Sequence, residues 1–285
     1  MTESAGHRLV PPRRWTAPAL FNSPHSGHAF PEAFLAATRL SLPDLRRSED
    51  FAVDELFAFA GSLGAPLLAA TISRTVVDLN REPWELDPRM FDGALPGYVM
   101  TDSPRVLAGL GTIPRLAGDG GEISRMRLVF AEAQDRIARW YRPYHRTLDD
   151  LMNRAARRFG PVLLVDCHSM PSGDDRTADV VLGDRHGTSC ARGVVLHLED
   201  CLRHQGFSVS RNRPYAGGFI TQTHGNPALG RHAVQIEINR ALYMDERRLA
   251  KTAGFSVVQA RLAQGLGRFL ADLPALMTPR RAAAE

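Results

Sequence analysis

The sequence predicts a layered α/β domain with a mainly parallel β-sheet, and three observations indicate it. Short apolar runs alternate along the chain with longer segments that keep the three- to four-residue apolar spacing of helices. The segment 162–167 is dominated by apolar residues, as in a central strand covered on both faces. The 285 residues contain no repeat and no long linker, so we expect one domain, 1–285, with residues 1–17 and 277–285 peripheral.

Each element follows from a local signal. Short apolar runs predict strands at 18–22, 66–72, 162–167, 179–183, 207–211 and 232–239. Helical spacing predicts helices at 48–63, 126–155, 189–205 and 245–271. Ser48 is the expected N-cap of the first helix, and Pro143 should kink or divide the second. The segment 84–122 is rich in glycine and proline without periodicity, which indicates loops.

Composition and missing motifs exclude several classes of protein. No apolar stretch reaches the roughly 20 residues of a membrane span, and the N-terminus lacks the pattern of a signal peptide. The three cysteines include no CxxC pair, which argues against a disulfide framework and favours the reducing cytoplasm. The chain has no GxGxxG or GxxxxGK[ST] phosphate loop, no GxSxG elbow and no HExxH motif. A serine hydrolase is therefore disfavoured, and the one remaining candidate nucleophile of this kind is Ser169, which follows His168 in the sequence.

The net charge of +4 has two interpretations. The arginines are spread along the chain, which is typical of a solvated surface and argues against a nucleic-acid partner. Alternatively, several arginines gather in one pocket and bind a small anionic substrate.

Polar residues cluster where strands of the predicted sheet end, which is where open α/β sheets bind ligands. His25 follows the first strand, and His168 ends the segment 162–167. Neutral imidazole is a common zinc ligand, although a single buried histidine is also compatible with a structural hydrogen bond. A third ligand is then required. The nearest clustered carboxylates are Glu49, Asp50 and Asp54, and such acids also suit the first turn of a helix.

Two further segments carry candidate functional groups. Alternation in 232–239 places Glu237 on a strand between isoleucines, which indicates either a functional carboxylate or the wet face of an edge strand. Arg74, Asp78, Asn80 and Arg81 follow another predicted strand. These residues are suited to bind an acidic substrate, or they form an internal Arg–Asp pair.

Eight ordered segments, covering about residues 18–245, resemble the N-formylglutamate amidohydrolase family. They are FNSPHSG at 21–27, SEDFAVDEL at 48–56, SRTVVDLNR at 73–81, WYRPYH at 140–145, LLVDCHSMPS at 163–172, VVLGDRHGTSC at 180–190, PYAGGFITQTHGNP at 214–227 and HAVQIEINRALYM at 232–244. The resemblance implies a three-layer α/β/α domain around a mixed sheet, similar to the zinc carboxypeptidases. It also implies a hydrolase with one zinc ion per chain that cleaves N-formyl-L-glutamate to formate and glutamate, a step of histidine breakdown.

The resemblance also implies roles for individual residues. His25 and His168 would be zinc ligands, and Glu237 would be the general base. Arg74 would lie beside the scissile carbonyl.

For the substrate, the resemblance implies that Asn80 and Arg81 grip one carboxylate, and Arg240 is our candidate for the other. The third zinc ligand is expected to be Asp50, with Glu49 and His28 as alternatives, because His28 stands where the carboxypeptidases place a ligand glutamate. Asp166, two residues before His168, is either a partner that orients a ligand histidine or a structural hydrogen-bonding group.

Two alternatives to this function remain open. A metallohydrolase for another N-acyl or N-formimino amino acid requires only changes in the pocket. A ligand-binding relative without activity requires the loss of a catalytic group, and the joint presence of His25, His168 and Glu237 argues against it. The expected partner is a small acidic N-acyl amino acid, with no nucleic acid and no membrane.

Overall fold

The computed structural model describes residues 2–4, 6–118, 120–173 and 177–277. Within these residues, the centre of the protein is an eight-stranded mixed sheet in the order β1-β2-β4-β3-β5-β8-β6-β7. Its strands are β1 (Thr2–Ser4), β2 (His7–Val10), β3 (Ala19–Ser23), β4 (Leu67–Ala70), β5 (Val162–Met170), β6 (Val180–Gly183), β7 (Val209–Arg211) and β8 (Arg231–Asn239). Strands β4, β3, β5 and β8 are mutually parallel, whereas β2 and β6 run antiparallel to their neighbours β4 and β8.

Helices cover both faces of this sheet. They are α1 (Glu32–Ala37), α2 (Leu42–Arg46), α3 (Val53–Leu56), α4 (Pro104–Leu107), α5 (Phe130–Arg136), α6 (Arg142–Phe159), α7 (Arg192–His204), α8 (Phe219–His224) and α9 (Gly254–Met277). A two-stranded hairpin, β9 (Met244–Asp245) and β10 (Ala250–Lys251), precedes α9. None of the described helices is long and apolar enough to cross a lipid bilayer.

Alternating side chains of β5 separate two hydrophobic cores. Leu163 and Val165 point into a core shared with α3, α7 and α9, whereas Val162 and Leu164 point into one shared with α5 and α6. Every side chain of β5 is buried, because the strand lies at the centre of the sheet with helices on both faces. The predicted three-layer α/β/α architecture with a mixed, mainly parallel sheet is therefore confirmed.

The predicted helix at 48–63 is wrong in its first half. Helix α3 has only four residues and is followed by a 3₁₀ turn at Ala58–Gly61. The backbone N–H of Asp50 donates to the carbonyl of His25 at 3.0 Å, and Ala52 has a left-handed φ of 54°. These features hold 48–52 in a turn, so Ser48 is not an N-cap, and its hydroxyl accepts from Gly118 N–H at 2.9 Å instead.

Two other helices differ from expectation at their ends. The stripe at 126–155 runs without a break through α5, a π-helical turn at Ile137–Tyr141 and α6, and the π-helical turn lies just before Pro143, where regular α-helical hydrogen bonding is interrupted. Met126 lies outside the stripe and is exposed. The last helix begins at Gly254 rather than 245, because the β9–β10 hairpin occupies the preceding residues.

The segment 84–122 is irregular as expected, apart from a 3₁₀ turn at Pro88–Met90 and α4. At the amino terminus, where a peripheral segment was expected over 1–17, β1 and β2 pair at one edge of the sheet. Of the other segment expected to be peripheral, 277–285, residues 278–285 lie outside the described part of the chain.

Candidate active site and metal centre

Two histidines and one aspartate meet where β3 and β5 end. His25 follows β3, His168 lies near the end of β5, and Asp50 lies in the turn before α3. Their ligand atoms all lie within 4.8 Å of one another, and all three residues are buried. Oδ2 of Asp50 is 2.9 Å from Nδ1 of His168 and 3.6 Å from Nδ1 of His25. The structure thus places Asp50 beside both histidines, in an arrangement that could hold a metal ion.

A second carboxylate lies behind each imidazole. Nε2 of His25 is 2.8 Å from Oδ1 of Asp78, and Nε2 of His168 is 3.1 Å from Oδ2 of Asp166. An ionised carboxylate only accepts hydrogen bonds, so each Nε2 carries the proton and donates it. The second nitrogen of each ring, Nδ1, faces Asp50, and its lone pair can bind a metal ion there in place of a proton. This carboxylate–histidine arrangement is the one that fixes metal-ligating histidines in proteins.

The polar atoms of this cluster fit a bound cation. Nδ1 of His25 is buried without a hydrogen-bond partner in the described part of the chain. Burial opposes charge on His168, but Asp166 and Asp50 raise its pKa well above the usual range. Burial likewise opposes charge on Asp50, whose pKa the two histidines hold well below its usual range. The cluster therefore favours positive charge between its members, and imidazole and carboxylate ligands suit zinc.

The alternative ligands lie elsewhere. Both oxygens of Glu49 accept hydrogen bonds from Nε of Arg46, at 3.2 and 3.3 Å. His28 is exposed, and with Glu49 it lines a separate cavity of about 730 Å³. Asp54 forms an ion pair with Arg8.

Glu237 lies next to the cluster on the neighbouring strand. It is the register partner of His168 in the β5–β8 pairing, and its side chain is buried. Because β8 lies between β5 and β6, the edge-strand interpretation is wrong. Gln235 donates to Oε1 of Glu237 at 2.7 Å and accepts from Gly218 N–H at 2.9 Å. Burial raises the pKa of Glu237 to about 7, a value suited to proton transfer near neutrality.

The arginine–aspartate segment 73–81 forms the internal pair and also lines the site. Nη2 of Arg74 donates to Oδ2 of Asp78 at 2.7 Å, and its Nη1 lies 3.8 Å from Asp50. Asp78 also accepts from the backbone N–H of Asn80 at 2.9 Å. The internal Arg–Asp pair and a position in the substrate pocket are therefore compatible, because Arg74 and Asp78 both line the cavity described next.

A cavity of about 500 Å³ opens beside the cluster. All eight residues proposed from the sequence for metal binding, catalysis and substrate binding line it: His25, Asp50, Arg74, Asn80, Arg81, His168, Glu237 and Arg240. The irregular segment 84–122 contributes a wall that includes Arg105, Leu110 and Leu116. A further wall comes from 214–218 and includes Tyr215.

The amide of Asn80 is engaged within the protein. Its Nδ2 lies 3.4 Å from Asp166 and 3.2 Å from Nε2 of His168, and its Oδ1 accepts from Ile220 N–H at 2.8 Å. A Cβ on Gly218 would lie 2.5 Å from this amide, so the close approach requires glycine there. Asn80 therefore braces the His168–Asp166 pair.

Arg240 and Arg81 also have donors committed to the protein. Arg240 Nη2 donates to the carbonyl of Glu49 at 2.6 Å and to Oδ1 of Asp50 at 3.2 Å, and its Nε donates to Ser169 at 3.1 Å. Arg81 donates to the carbonyls of Leu110 and Asn80 at 2.9 and 2.8 Å. Arg240 thus orients Asp50, whereas Arg81 ties two segments of the cavity wall together.

Sequence reasoning missed several residues that line or support the site. Gln235 lies two residues before Glu237 and therefore on the same face of the strand, a signal that was available in the sequence. Asp78 was considered for the substrate, but its contact with His25 gives it an orienting position. Arg105 and Tyr215 lie in segments without periodicity, and nothing in the sequence indicated that they line the cavity.

The fold and the site together define an α/β protein with a buried His–Asp–His group at the carboxyl ends of its strands. The sequence profile of the N-formylglutamate amidohydrolase family matches residues 17–244. The chain belongs to the N-formylglutamate amidohydrolase family and is a hydrolase.

Individual relatives support this membership. The N-formylglutamate deformylase of Pseudomonas putida is 33% identical over 242 residues, which cover 80% of this chain and 82% of the relative. The enzyme of the same name from Pseudomonas aeruginosa is 33% identical over 247 residues, with coverage of 82% and 85%. A crystal structure of N-formylglutamate amidohydrolase from Ralstonia eutropha JMP134 superimposes with a TM-score of 0.88 at 36% identity, covering 94% of this chain and 98% of that one.

Proposed function

We propose that this protein hydrolyses N-formyl-L-glutamate to formate and L-glutamate, with one zinc ion per chain. The observation that carries the proposal is the pair of Nδ1 atoms, of His25 and His168, which face Asp50 while each Nε2 is held by a carboxylate. The names of the relatives supply the substrate. The catalytic unit is proposed to be the whole chain, 1–285, as one domain, because both hydrophobic cores share one sheet. The reaction would serve histidine breakdown.

The metal would be held by Nδ1 of His25, Nδ1 of His168 and a carboxylate oxygen of Asp50. Three protein ligands and a face open to a cavity are typical of catalytic rather than structural zinc. When bound, zinc polarises the formyl carbonyl and lowers the pKa of water, so that hydroxide is available near neutral pH. Asp78 and Asp166 hold the two imidazoles in the required tautomer, and Arg240 orients Asp50.

Glu237 is proposed as the general base. Its Oε1 is held by Gln235, so the other oxygen is available to take a proton from the attacking water. The same carboxyl group can pass this proton to the amide nitrogen, which leaves as the amine of glutamate. A pKa of about 7 allows Glu237 to accept and release a proton at neutral pH.

Arg74 is proposed to stabilise the negative oxygen of the tetrahedral intermediate. Its guanidinium is partly buried, lines the cavity and is held by Asp78, so it needs little reorganisation during the reaction. Arg81 is proposed to bind a substrate carboxylate, with Asn80 and Arg240 in supporting positions that their hydrogen bonds within the protein define.

The test is a formate-release assay on a panel of N-formyl and N-formimino amino acids, with metal-free protein and with protein given one equivalent of zinc. We expect release from N-formyl-L-glutamate only in the zinc-loaded sample. A matched control is Asp54→Asn, an acid near Asp50 in sequence that does not line the cavity.

Three other results would contradict the proposal or part of it. Faster turnover of another panel member would assign the protein to a different N-acyl or N-formimino amino acid. Zinc binding without formate release from any compound would indicate a ligand-binding relative. Zinc content well below one equivalent, with no activity, would exclude the metalloenzyme altogether.

A further inference from the structure

The arginines that line the cavity differ in how many of their donors remain free. Arg74 is paired with Asp78, and Arg240 donates to Ser169, Asp50 and a backbone carbonyl. Both guanidinium groups therefore hold parts of the site in place. N-formylglutamate carries two carboxylates. A pocket that selects it therefore needs, besides these two arginines, at least one cation whose donors are free to bind a carboxylate.

Arg105 is such a cation. It lies in α4 and lines the cavity, with its side chain half-buried. Its guanidinium makes no hydrogen bond or ion pair with any residue in the described part of the chain. Tyr215, on a further wall of the cavity, is more exposed than Arg105 and carries no charge at neutral pH.

The backbone around Arg105 is fixed. The neighbouring Val106 is buried, Ser103 caps α4 by accepting from the backbone N–H of Val106, and the carbonyl of Arg105 accepts from Leu110 N–H at 2.8 Å. The carbonyl of Leu110 accepts in turn from Nε of Arg81 at 2.9 Å. The turn that carries Arg105 is thus linked by hydrogen bonds, through Leu110, to Arg81.

Arg105 and Arg81 are two cations near one another. Burial lowers the pKa of Arg81 to about 10, and although Asp78 opposes this, the charge of Arg74 and then that of Arg105 add to it. An unpaired cation that is partly desolvated beside a like charge is unfavourable, and a bound anion relieves the repulsion. The pair therefore favours a ligand with negative charge at this end of the cavity.

We propose that Arg105 is a specificity-determining residue that binds the side-chain carboxylate of the substrate, while Arg81 binds the carboxylate next to the scissile amide. This inference rests on the proposed function and adds a reason for its preference for an acidic side chain. Arg47 also lines the cavity, but half of its side chain is exposed and it faces Asp44 at 3.9 Å. It is therefore the matched control.

The experiment compares N-formyl-L-glutamate with N-formyl-L-glutamine, in which a neutral amide of similar size replaces the side-chain carboxylate. In Arg105→Gln, we expect kcat/KM for the glutamate compound to fall about 10- to 100-fold, mainly through KM, since one charged hydrogen bond is lost. Turnover of the glutamine compound should change less than about threefold, the residual effect of an altered wall. Arg105→Lys should keep part of the preference, and Arg47→Gln should behave like the wild type.

Equal losses on both substrates in Arg105→Gln would overturn the inference, as would a lost preference in Arg47→Gln instead. Calorimetric binding of L-glutamate and L-glutamine to the zinc-loaded proteins provides a second readout. If the wild type releases no formate, the proposed function fails, whereas this binding comparison still tests Arg105. A wild type that binds both amino acids equally would also overturn the inference.

Discussion

Oδ2 of Asp50 lies 2.9 Å from Nδ1 of His168, although the two residues are 118 positions apart in the sequence. Asp166 faces the other nitrogen of the same ring at 3.1 Å. The imidazole is therefore held between two carboxylates, one on the cavity side and one within the sheet. The two carboxylates fix the ring, and because Asp166 holds Nε2, Nδ1 is the nitrogen that can bind a metal ion in place of a proton.

Glu237→Gln should retain zinc binding and reduce turnover of N-formyl-L-glutamate by about 10²- to 10⁴-fold, the usual cost of losing an acid–base group. The substitution keeps the size of the side chain, so the β5–β8 pairing should be preserved. Metal content and formate release are measured on the same preparation. Turnover close to that of the wild type would remove Glu237 from the mechanism.

Asp78→Asn should weaken zinc affinity about 10- to 100-fold, because the hydrogen bond that orients His25 loses its charged acceptor. The affinity is measured by competition with a chromophoric chelator, which reports on the metal independently of turnover. Asp149→Asn, a change at a largely exposed carboxylate, serves as the control. Unchanged affinity in Asp78→Asn would show that His25 is positioned without this contact.

Arg81→Ala should impair turnover of N-formyl-L-glutamate more than turnover of a small formyl amide without carboxylates. Arg81 also donates to the carbonyls of Leu110 and Asn80, so some loss on both compounds is expected from a loosened wall. The ratio of the two kcat/KM values separates these effects. Losses of equal size on both compounds would make Arg81 a structural residue.

His145 should make the metal-free protein less stable as the pH falls below 6.5. Burial lowers its pKa to about 4, while its hydrogen bond to the carbonyl of Leu79 opposes that shift. An unfolded chain, with a histidine pKa near 6.5, takes up a proton between pH 6.5 and 4 that the folded protein does not. The free energy of unfolding therefore falls with decreasing pH, by about 2 kcal/mol at pH 5 from this residue.

Urea unfolding at pH 7.5 and pH 5 measures this contribution. The loss between the two pH values should be about 2 kcal/mol smaller in His145→Gln than in the wild type. His204→Gln, a substitution at an exposed histidine of α7, should follow the wild type. The same pH dependence in all three proteins would show that His145 is accessible to protons in the folded state.

Local signals predicted much of the fold, because they arise from neighbouring residues. The apolar run at 162–167 became the central strand β5, and the 3.6-residue spacing gave α6, α7 and most of α9. Strands β5 and β8 place His168 and Glu237 in register, so strand alternation alone put both groups on the correct side of their strands. The helix at 48–63 failed because its amphipathic spacing was opposed by a long-range hydrogen bond from Asp50 to His25.

The sequence by itself determined the layered α/β class, the family resemblance and the set of polar residues at the strand ends, because periodicity and ordered motifs are properties of the chain. The tertiary structure decided which carboxylate joins the two histidines and which arginines keep free donors. Both depend on contacts between residues far apart in sequence. Asp50 rather than Glu49 faces the histidines, because the turn at 48–52 directs neighbouring side chains to opposite sides. The donors of Arg240 are bound by residues that only folding brings close to it.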